Sequence, residues 1–324
     1  MEDTYYSKKL APILLQLKKE LKIAFKDCKS IAIKIHFGSP ENEFSFKPEQ
    51  IKPITNLLKE LKINYFLYDT SVAYSSIRNN PETHKEFALE KGWGDLGEIK
   101  IDGDFIKVKG KQIIYEVAKP LTEVDGVLVI SHAKGHCCSG FGGAIKNLGM
   151  GALSKKSKGD IHSGGEPEIL DGCTKCKTCE KSCPISCLKV LDKPIITGCY
   201  GCSNCCYACE YGVLKPKIDY FDFLLAEGAN AAQSKFKKKY YISFLNNISK
   251  FCDCEKNPGQ IISEDVGFLI SGDAVAIDNA SKDLIIKKMN EDVFLKHNKK
   301  SGIQQIKYAE SLGMGDSKYN LIEL

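Results

Sequence analysis

Eight cysteines fall between residues 173 and 209 in two runs of equal spacing. They are Cys173-x2-Cys176-x2-Cys179-x3-Cys183, followed by Pro184, and Cys199-x2-Cys202-x2-Cys205-x3-Cys209. Three cysteines set two residues apart in a tight loop can point their thiolates at three irons of one cube, while the fourth turns away to the other cube. The spacing therefore predicts two 4Fe–4S clusters. One is held by Cys173, Cys176, Cys179 and Cys209, the other by Cys183, Cys199, Cys202 and Cys205. Zinc sites usually separate two cysteine pairs by a dozen or more residues, and a disulfide framework needs an oxidising compartment. Glu210 stands where the second run would carry proline, which leaves the turn after Cys209 open to change. Cys187 and Cys206 lie outside the pattern and read as small thiols with no ligand role.

The rest of the chain reads as a host for this segment. At 324 residues and 43% hydrophobic content it can bury a sizeable core without disulfides. The start of the sequence has no basic stretch followed by an apolar run, and no segment reaches about 18 apolar residues, so a cytoplasmic protein without a membrane partner is expected. The formal charge of +5 treats the cysteines as neutral. Two oxidised clusters add roughly four negative charges, which leaves little electrostatic case for nucleic acid. Lys237-Lys238-Lys239 and Lys299-Lys300 read as solvated faces.

Apolar periodicity predicts helices at 9–25, 48–62, 84–91, 220–235, 274–289 and 303–311. Strands are expected at 31–36, 64–69, 112–118, 124–131, 240–244 and 267–271. Strands alternating with helices argue for an α/β fold with a largely parallel sheet. The alternation resumes beyond the cysteines. The expected organisation is thus a discontinuous α/β host, 1–170 and 215–324, with an inserted small α+β ferredoxin-like module at 171–214.

Several further motifs occur in order along the chain: Lys34-Ile-His-Phe-Gly38, Asp69-Thr70, Tyr74-x3-Arg78-Asn79, His132-Ala-Lys-Gly-His136, Gly140-Phe-Gly-Gly-Ala-Ile-Lys-Asn-Leu-Gly-Met-Gly151, the cysteine runs, Cys252-Asp253-Cys254, and Ser271-Gly-Asp-Ala-Val-Ala-Ile-Asp278. In these the chain resembles the domain-of-unknown-function 362 family over nearly its whole length. The resemblance implies an iron–sulfur protein and leaves its reaction open. Where that family usually reads Asp-Pro-Val-Ala, Asp273 is here followed by Ala274; a lost proline relaxes a turn more than it removes chemistry.

Outside the cysteine runs the 132–151 stretch is the strongest candidate site. It follows a predicted buried strand, where open α/β folds bind ligands, and its glycines would let backbone N–H groups approach an anion. His36, His132, Lys134, His136 and Lys146 are the candidate catalytic residues, and Gly142, Gly143 and Asn147 the candidate cofactor-binding ones. A structural loop packed on the cluster module is the competing reading. His162, just ahead of the insertion, is expected near a cluster. Cys252 and Cys254 form a candidate third metal site, jointly with His132, His136 or Cys137, or else a redox dithiol or a plain pair of thiols. Asp265, Asp273 and Asp278 are read as pocket or helix-capping groups, with capping favoured for Asp273. Two functions are open. One is an oxidoreductase, or an electron-transfer subunit of one, in which a redox partner protein or low-potential donor feeds the clusters and a small-molecule ligand sits in the host. The other is a non-catalytic protein of metal or metallocofactor assembly or delivery.

Overall fold

In the computed structural model, which describes residues 2–324, eight strands form one sheet. In spatial order they are Tyr319–Glu323, Glu2–Ser7, Gly267–Ser271, Lys239–Leu245, Gly126–His132, Ser30–Lys34, Asn64–Asp69 and Ile99–Ile101. Every neighbouring pair is parallel except the two made by Gly267–Ser271, which runs against both its neighbours. The fold is α/β with a largely parallel sheet.

Side chains alternate across the sheet, as the two-residue period of a strand requires. Ala32, Val127, Val129, Tyr241 and Leu269 enter one core. Ile31, Ile33, Leu128, Ile130, Ile242, Phe244 and Ile270 enter the other. The second core is closed by the helices Leu10–Ala24, through Ile13, Leu17 and Leu21, and Pro48–Glu60, through Ile51, Ile54 and Leu58. Helices Ala144–Gly151, Phe221–Gln233 and Ala274–Met289 close the first. Successive strands from Ser30 step toward Ile99, while Gly126–His132 lies on the other side of Ser30–Lys34 and sends its helix to the opposite face. This reversal is a topological switch point, and a crevice opens there at the carboxyl ends of the strands.

Two of the expected readings are corrected by the structure. Ile114–Ala118 stands outside the sheet, paired antiparallel with Phe105–Lys109 in a separate ribbon. Ala144–Gly151, whose glycine content predicts a loop, is helical. A glycine in a helix usually counts against it, but Gly149 meets the Leu225 carbonyl so closely that a Cβ would overlap it.

Residues 171–214 carry the short helices Thr178–Ser182 and Asn204–Ala208 and the hairpin Leu188–Val190 with Pro194–Ile196. Around these Cys179, Cys183, Leu188, Val190, Cys205, Cys206 and Leu214 form a small core of their own. Strand Pro167–Ile169 enters the segment and pairs antiparallel with Leu214–Pro216, which leaves it. Among the described residues no helix is long and apolar enough to cross a membrane.

Candidate functional site

The two cysteine runs fold alike. Lys175 and Lys177 in the first, and Gly201 and Ser203 in the second, take positive φ at corresponding positions, between 59° and 67°. After the fourth cysteine of each run, Ser186 (56°) and Gly212 (65°) do the same, so the turn after Cys209 keeps its shape with Glu210 in the proline position. Left-handed conformation at non-glycine residues is uncommon, and its repetition at equivalent positions bends both loops in the same way. The result is two small cavities. One is lined by Cys173, Cys176, Cys179 and Cys209. The other is lined by Cys183, Cys199, Cys202 and Cys205, with Cys187, Cys137 and Cys138 also at its wall. Cys206 lines neither. Gly201 N–H donates to Cys199 Sγ at 3.3 Å and Cys187 N–H to Cys183 Sγ at 3.3 Å.

A much larger cavity, about 470 Å³, lies in the crevice at the switch point. The strand ends supply Lys34 and His36, Asp69 and Thr70, and Ser131 and His132. Helix Ala144–Gly151 adds Lys146 and Asn147, preceded by Gly142 and Gly143. Helix Lys155–Gly164 adds Lys158 and His162, and the Cys252–Glu255 turn closes the opposite side. Cys137, Cys138, Cys199 and Tyr200 line this cavity and the second cysteine cavity alike. His162 stands at that junction, with Nδ1 2.7 Å from the Tyr200 carbonyl.

The predicted residues have different surroundings within this frame. His36, His132, His136 and His162 all face the cavity. His132 is held at both nitrogens, by Asp253 Oδ2 at 2.9 Å and the Asn246 carbonyl at 2.7 Å, and is stacked on Phe46. Lys134 lies apart from the lining; its ammonium donates to the carbonyls of Phe44 and Asn247 and sits 3.7 Å from Asp253. Burial pushes the Asp253 carboxyl up, but His132 and Lys134 beside it hold it below the usual range. His136 Nδ1 accepts from the backbone N–H groups of Cys138 (3.2 Å) and Ser139 (3.1 Å). The neutral ring therefore carries its proton on Nε2, and burial, then Lys146, keeps it neutral. Asn147 accepts from Lys34 Nζ at 2.8 Å and donates to the Ile130 carbonyl and Ser131 Oγ.

The glycine-rich stretch does not present free N–H groups to a ligand at its helix start. Asp278 accepts from Ala144 N–H (2.6 Å) and Ile145 N–H (2.9 Å), and a Cβ on Gly143 would collide with that carboxylate. Asp273 caps its own helix through Val275 and Ala276, and Asp265 accepts from Asn247 N–H.

Lys146 Nζ has two partners, Cys252 Sγ at 3.4 Å and Cys254 Sγ at 3.6 Å. These two sulfurs lie at disulfide distance from one another. With a nitrogen of His136 they form a group within 4.8 Å that could hold a metal ion; His136, Cys137 and Cys138 form another.

Four cavity residues were given no role on sequence grounds: Lys34, Asp69, Arg78 and Lys158. Lys34 pairs with Asp69 at 3.0 Å, both almost wholly buried. Burial pushes Asp69 up, yet Lys34, His36 and His84 hold it well below the usual carboxylate range. Arg78 is the single arginine of the chain, among 46 basic residues. That composition was the available signal: a chain that uses lysine everywhere else keeps a guanidinium here. Lys158, from an unremarkable lysine-rich helix, gave no signal.

A family profile described as domain of unknown function (DUF362) matches residues 31–283, well over half of the chain. No curated protein matches significantly. Among solved structures, a Thermotoga maritima protein determined by a structural genomics consortium aligns at 10% identity and a TM-score of 0.43, covering 92% of this chain and 58% of its own. The lactate racemase apoprotein of Thermoanaerobacterium thermosaccharolyticum aligns at 12% identity and a TM-score of 0.38, covering 75% and 50%. The chain thus spans 58% of the length of the first structure and half of the second.

Proposed function

The chain belongs to the domain of unknown function 362 family, and from that premise we propose that it is an iron–sulfur protein whose two 4Fe–4S clusters pass electrons to a ligand held in the switch-point cavity. In this reading 171–214 is an inserted ferredoxin-type module, and Cys173, Cys176, Cys179 and Cys209 hold one cluster. Cys183, Cys199, Cys202 and Cys205 hold the other. What supports the assignment is that each set of four, drawn from both runs, lines one cavity. Thiolate sulfurs receiving backbone N–H bonds suit such clusters, because those bonds tune their potential.

The observation that carries the functional reading is the shared wall. Cys199, a ligand of the second cluster in this proposal, also lines the large cavity. A ligand there would sit beside the electron donor, with no docking step between them. The clusters supply single electrons. The chain's own residues orient the ligand, and in this reading His136, neutral with its ring N–H on Nε2, donates a hydrogen bond to it.

Protein purified without oxygen should contain about eight irons and eight sulfides. Cys173→Ser and Cys209→Ser should each remove the same half of the iron, and Cys183→Ser and Cys199→Ser the other half. Stoichiometric zinc in place of iron, or halves that pair by run rather than across runs, would sink the assignment.

The group formed by His136, Cys252 and Cys254 favours a second reading, a metal or metallocofactor assembly or delivery protein with a third, labile metal. It stands second because the Nδ1 of His136 is already taken by backbone donors and Lys146 occupies the sulfurs. A further stoichiometric metal, lost in a Cys252→Ser/Cys254→Ser variant, would raise it to first place.

A further inference from the structure

Charges buried in a protein are normally paired, because an isolated one costs several kcal/mol. The large cavity breaks this pattern. Arg78 is fully buried, and all its partners are neutral: His36 Nε2 at 2.9 Å, Tyr74 Oη at 2.7 Å and the Cys254 carbonyl at 2.6 Å. Its Nε is buried with no partner. Even the bond to His36 is compromised, since the other ring nitrogen faces the Gly38 N–H at 2.9 Å. A neutral imidazole has one acceptor nitrogen and cannot serve both donors. Lys158, 6% exposed, donates to Thr70 Oγ1 at 2.7 Å and to the Ser71 carbonyl, again neutral groups.

The carboxylates that line the cavity attract these cations, Glu255 and Asp253 acting on Lys146 and Asp69 on Lys158, but make no direct ion pair with Arg78, Lys146 or Lys158. Asp69 is committed to Lys34 at 3.0 Å, with His84 at 3.9 Å. Asp253 is committed to His132 and Lys134. Among the described residues no carboxylate comes within 4.0 Å of Arg78, Lys146 or Lys158, and Glu255, which also lines the cavity, is no exception. Four cations, Lys34, Arg78, Lys146 and Lys158, therefore face one space, with Asp69 and Glu255 as the carboxylates not balanced from outside. With all four protonated, the cavity's own side chains sum to about two positive charges, before the roughly two negative charges of the neighbouring cluster in the redox reading are counted.

We propose that this cavity is an oxyanion site, and that the ligand served by the adjacent clusters carries a carboxylate or phosphate group seated between Arg78 and Lys158. This rests on the redox reading above and names its substrate class. The forked guanidinium is the side chain suited to a planar or tetrahedral oxyanion, and its lysine equivalent is not interchangeable with it. That explains why the one arginine of a lysine-rich chain stands here. At about 470 Å³ the cavity is within the usual range for small-molecule sites and admits a ligand larger than a bare ion.

The test is calorimetric titration of the oxygen-free, iron-loaded protein with inorganic phosphate and, separately, with malonate, using chloride as the control. Saturable one-to-one binding of one probe is expected, and which one binds decides between phosphate and carboxylate. Arg78→Gln and Lys158→Gln should each weaken it at least about tenfold. Arg78→Lys and Lys158→Arg keep the charge, guard against misfolding, and should retain part of the affinity. No saturable binding of either probe to the loaded protein would overturn the inference. So would binding unchanged in Gln variants whose iron content and melting match the parent. Iron is measured on the same samples. Anion binding without clusters would keep this inference and remove the redox reading, and loaded clusters without anion binding would do the reverse.

Discussion

Asp278 sits inside the Ala274–Met289 helix, yet its carboxylate serves another helix by accepting from the first N–H groups of Ala144–Gly151. Those groups have no partner within their own helix. Asp278→Ala would leave two buried donors unsatisfied, and a loss of about 1–3 kcal/mol is expected, read as a lower urea midpoint. Asp278→Asn, which keeps an acceptor, should lose less. Lys158 is a second residue with a measurable consequence. Burial pushes its ammonium down to about 7, against the attraction of Asp69 and Asp102 and with repulsion from Lys34 and Arg78. A bound anion favours the charged form, so binding above pH 7 must take up a proton. Malonate affinity is therefore expected to fall as pH rises through about 7, by up to roughly tenfold per unit. In Lys158→Arg that fall should disappear. Residue roles were unevenly legible in the sequence. The cysteine spacing pointed to the two sets of four that each line one cavity, because both runs are local in sequence, whereas the cations at 34, 78, 146 and 158 share no local pattern and meet only because parallel strands end together.

At the scale of elements, the long helices and most central strands followed from their periodicity, and the two strands at one end of the sheet did not. Glu2–Ser7 and the edge strand Tyr319–Glu323 lack clean alternation, and their pairing is set by partners far along the chain. The cysteine segment is tied to the host through Lys300, whose ammonium forms a buried ion pair within the host and also reaches the Cys202 carbonyl of the segment. Lys300 Nζ contacts Asp222 Oδ2 at 2.6 Å and also donates to the carbonyls of Cys138 and Cys202. Breaking such a pair leaves an uncompensated buried charge. Lys300→Met should cost about 3–5 kcal/mol, measured by chemical denaturation, and adding Asp222→Asn should recover part of the loss. If the second cluster forms as proposed, the single variant should also lose its visible absorbance faster in air.

For the molecule as a whole, the two strands around the cysteine segment form a neck. Leu170 N–H donates to the Val213 carbonyl at 2.8 Å, so the host leaves and re-enters the segment at nearly the same point. Both large cores draw almost nothing from it; Cys202 is its single fully buried contribution to them. Replacing residues 171–212 by a short turn between Leu170 and Val213 should leave a host with a cooperative unfolding transition and helical far-ultraviolet dichroism. Loss of that transition would mean that host and segment fold as one unit.

The strand Glu2–Ser7 has its own consequence. It lies between Gly267–Ser271 and Tyr319–Glu323, with Glu2 opposite Tyr319. On the ribosome, where chains grow by roughly 5–20 residues per second, the first strand must wait on the order of 15–60 seconds for its outer partner. Over most of that interval it exposes unpaired backbone on both edges, which invites pairing with another nascent chain. The cysteine segment has the eight cysteines of its two runs within 37 consecutive positions, from Cys173 to Cys209, and can take its final form well before the sheet is closed. Synthesis thus imposes an order of events: the cysteine loops can mature first, and the sheet that carries them is sealed last.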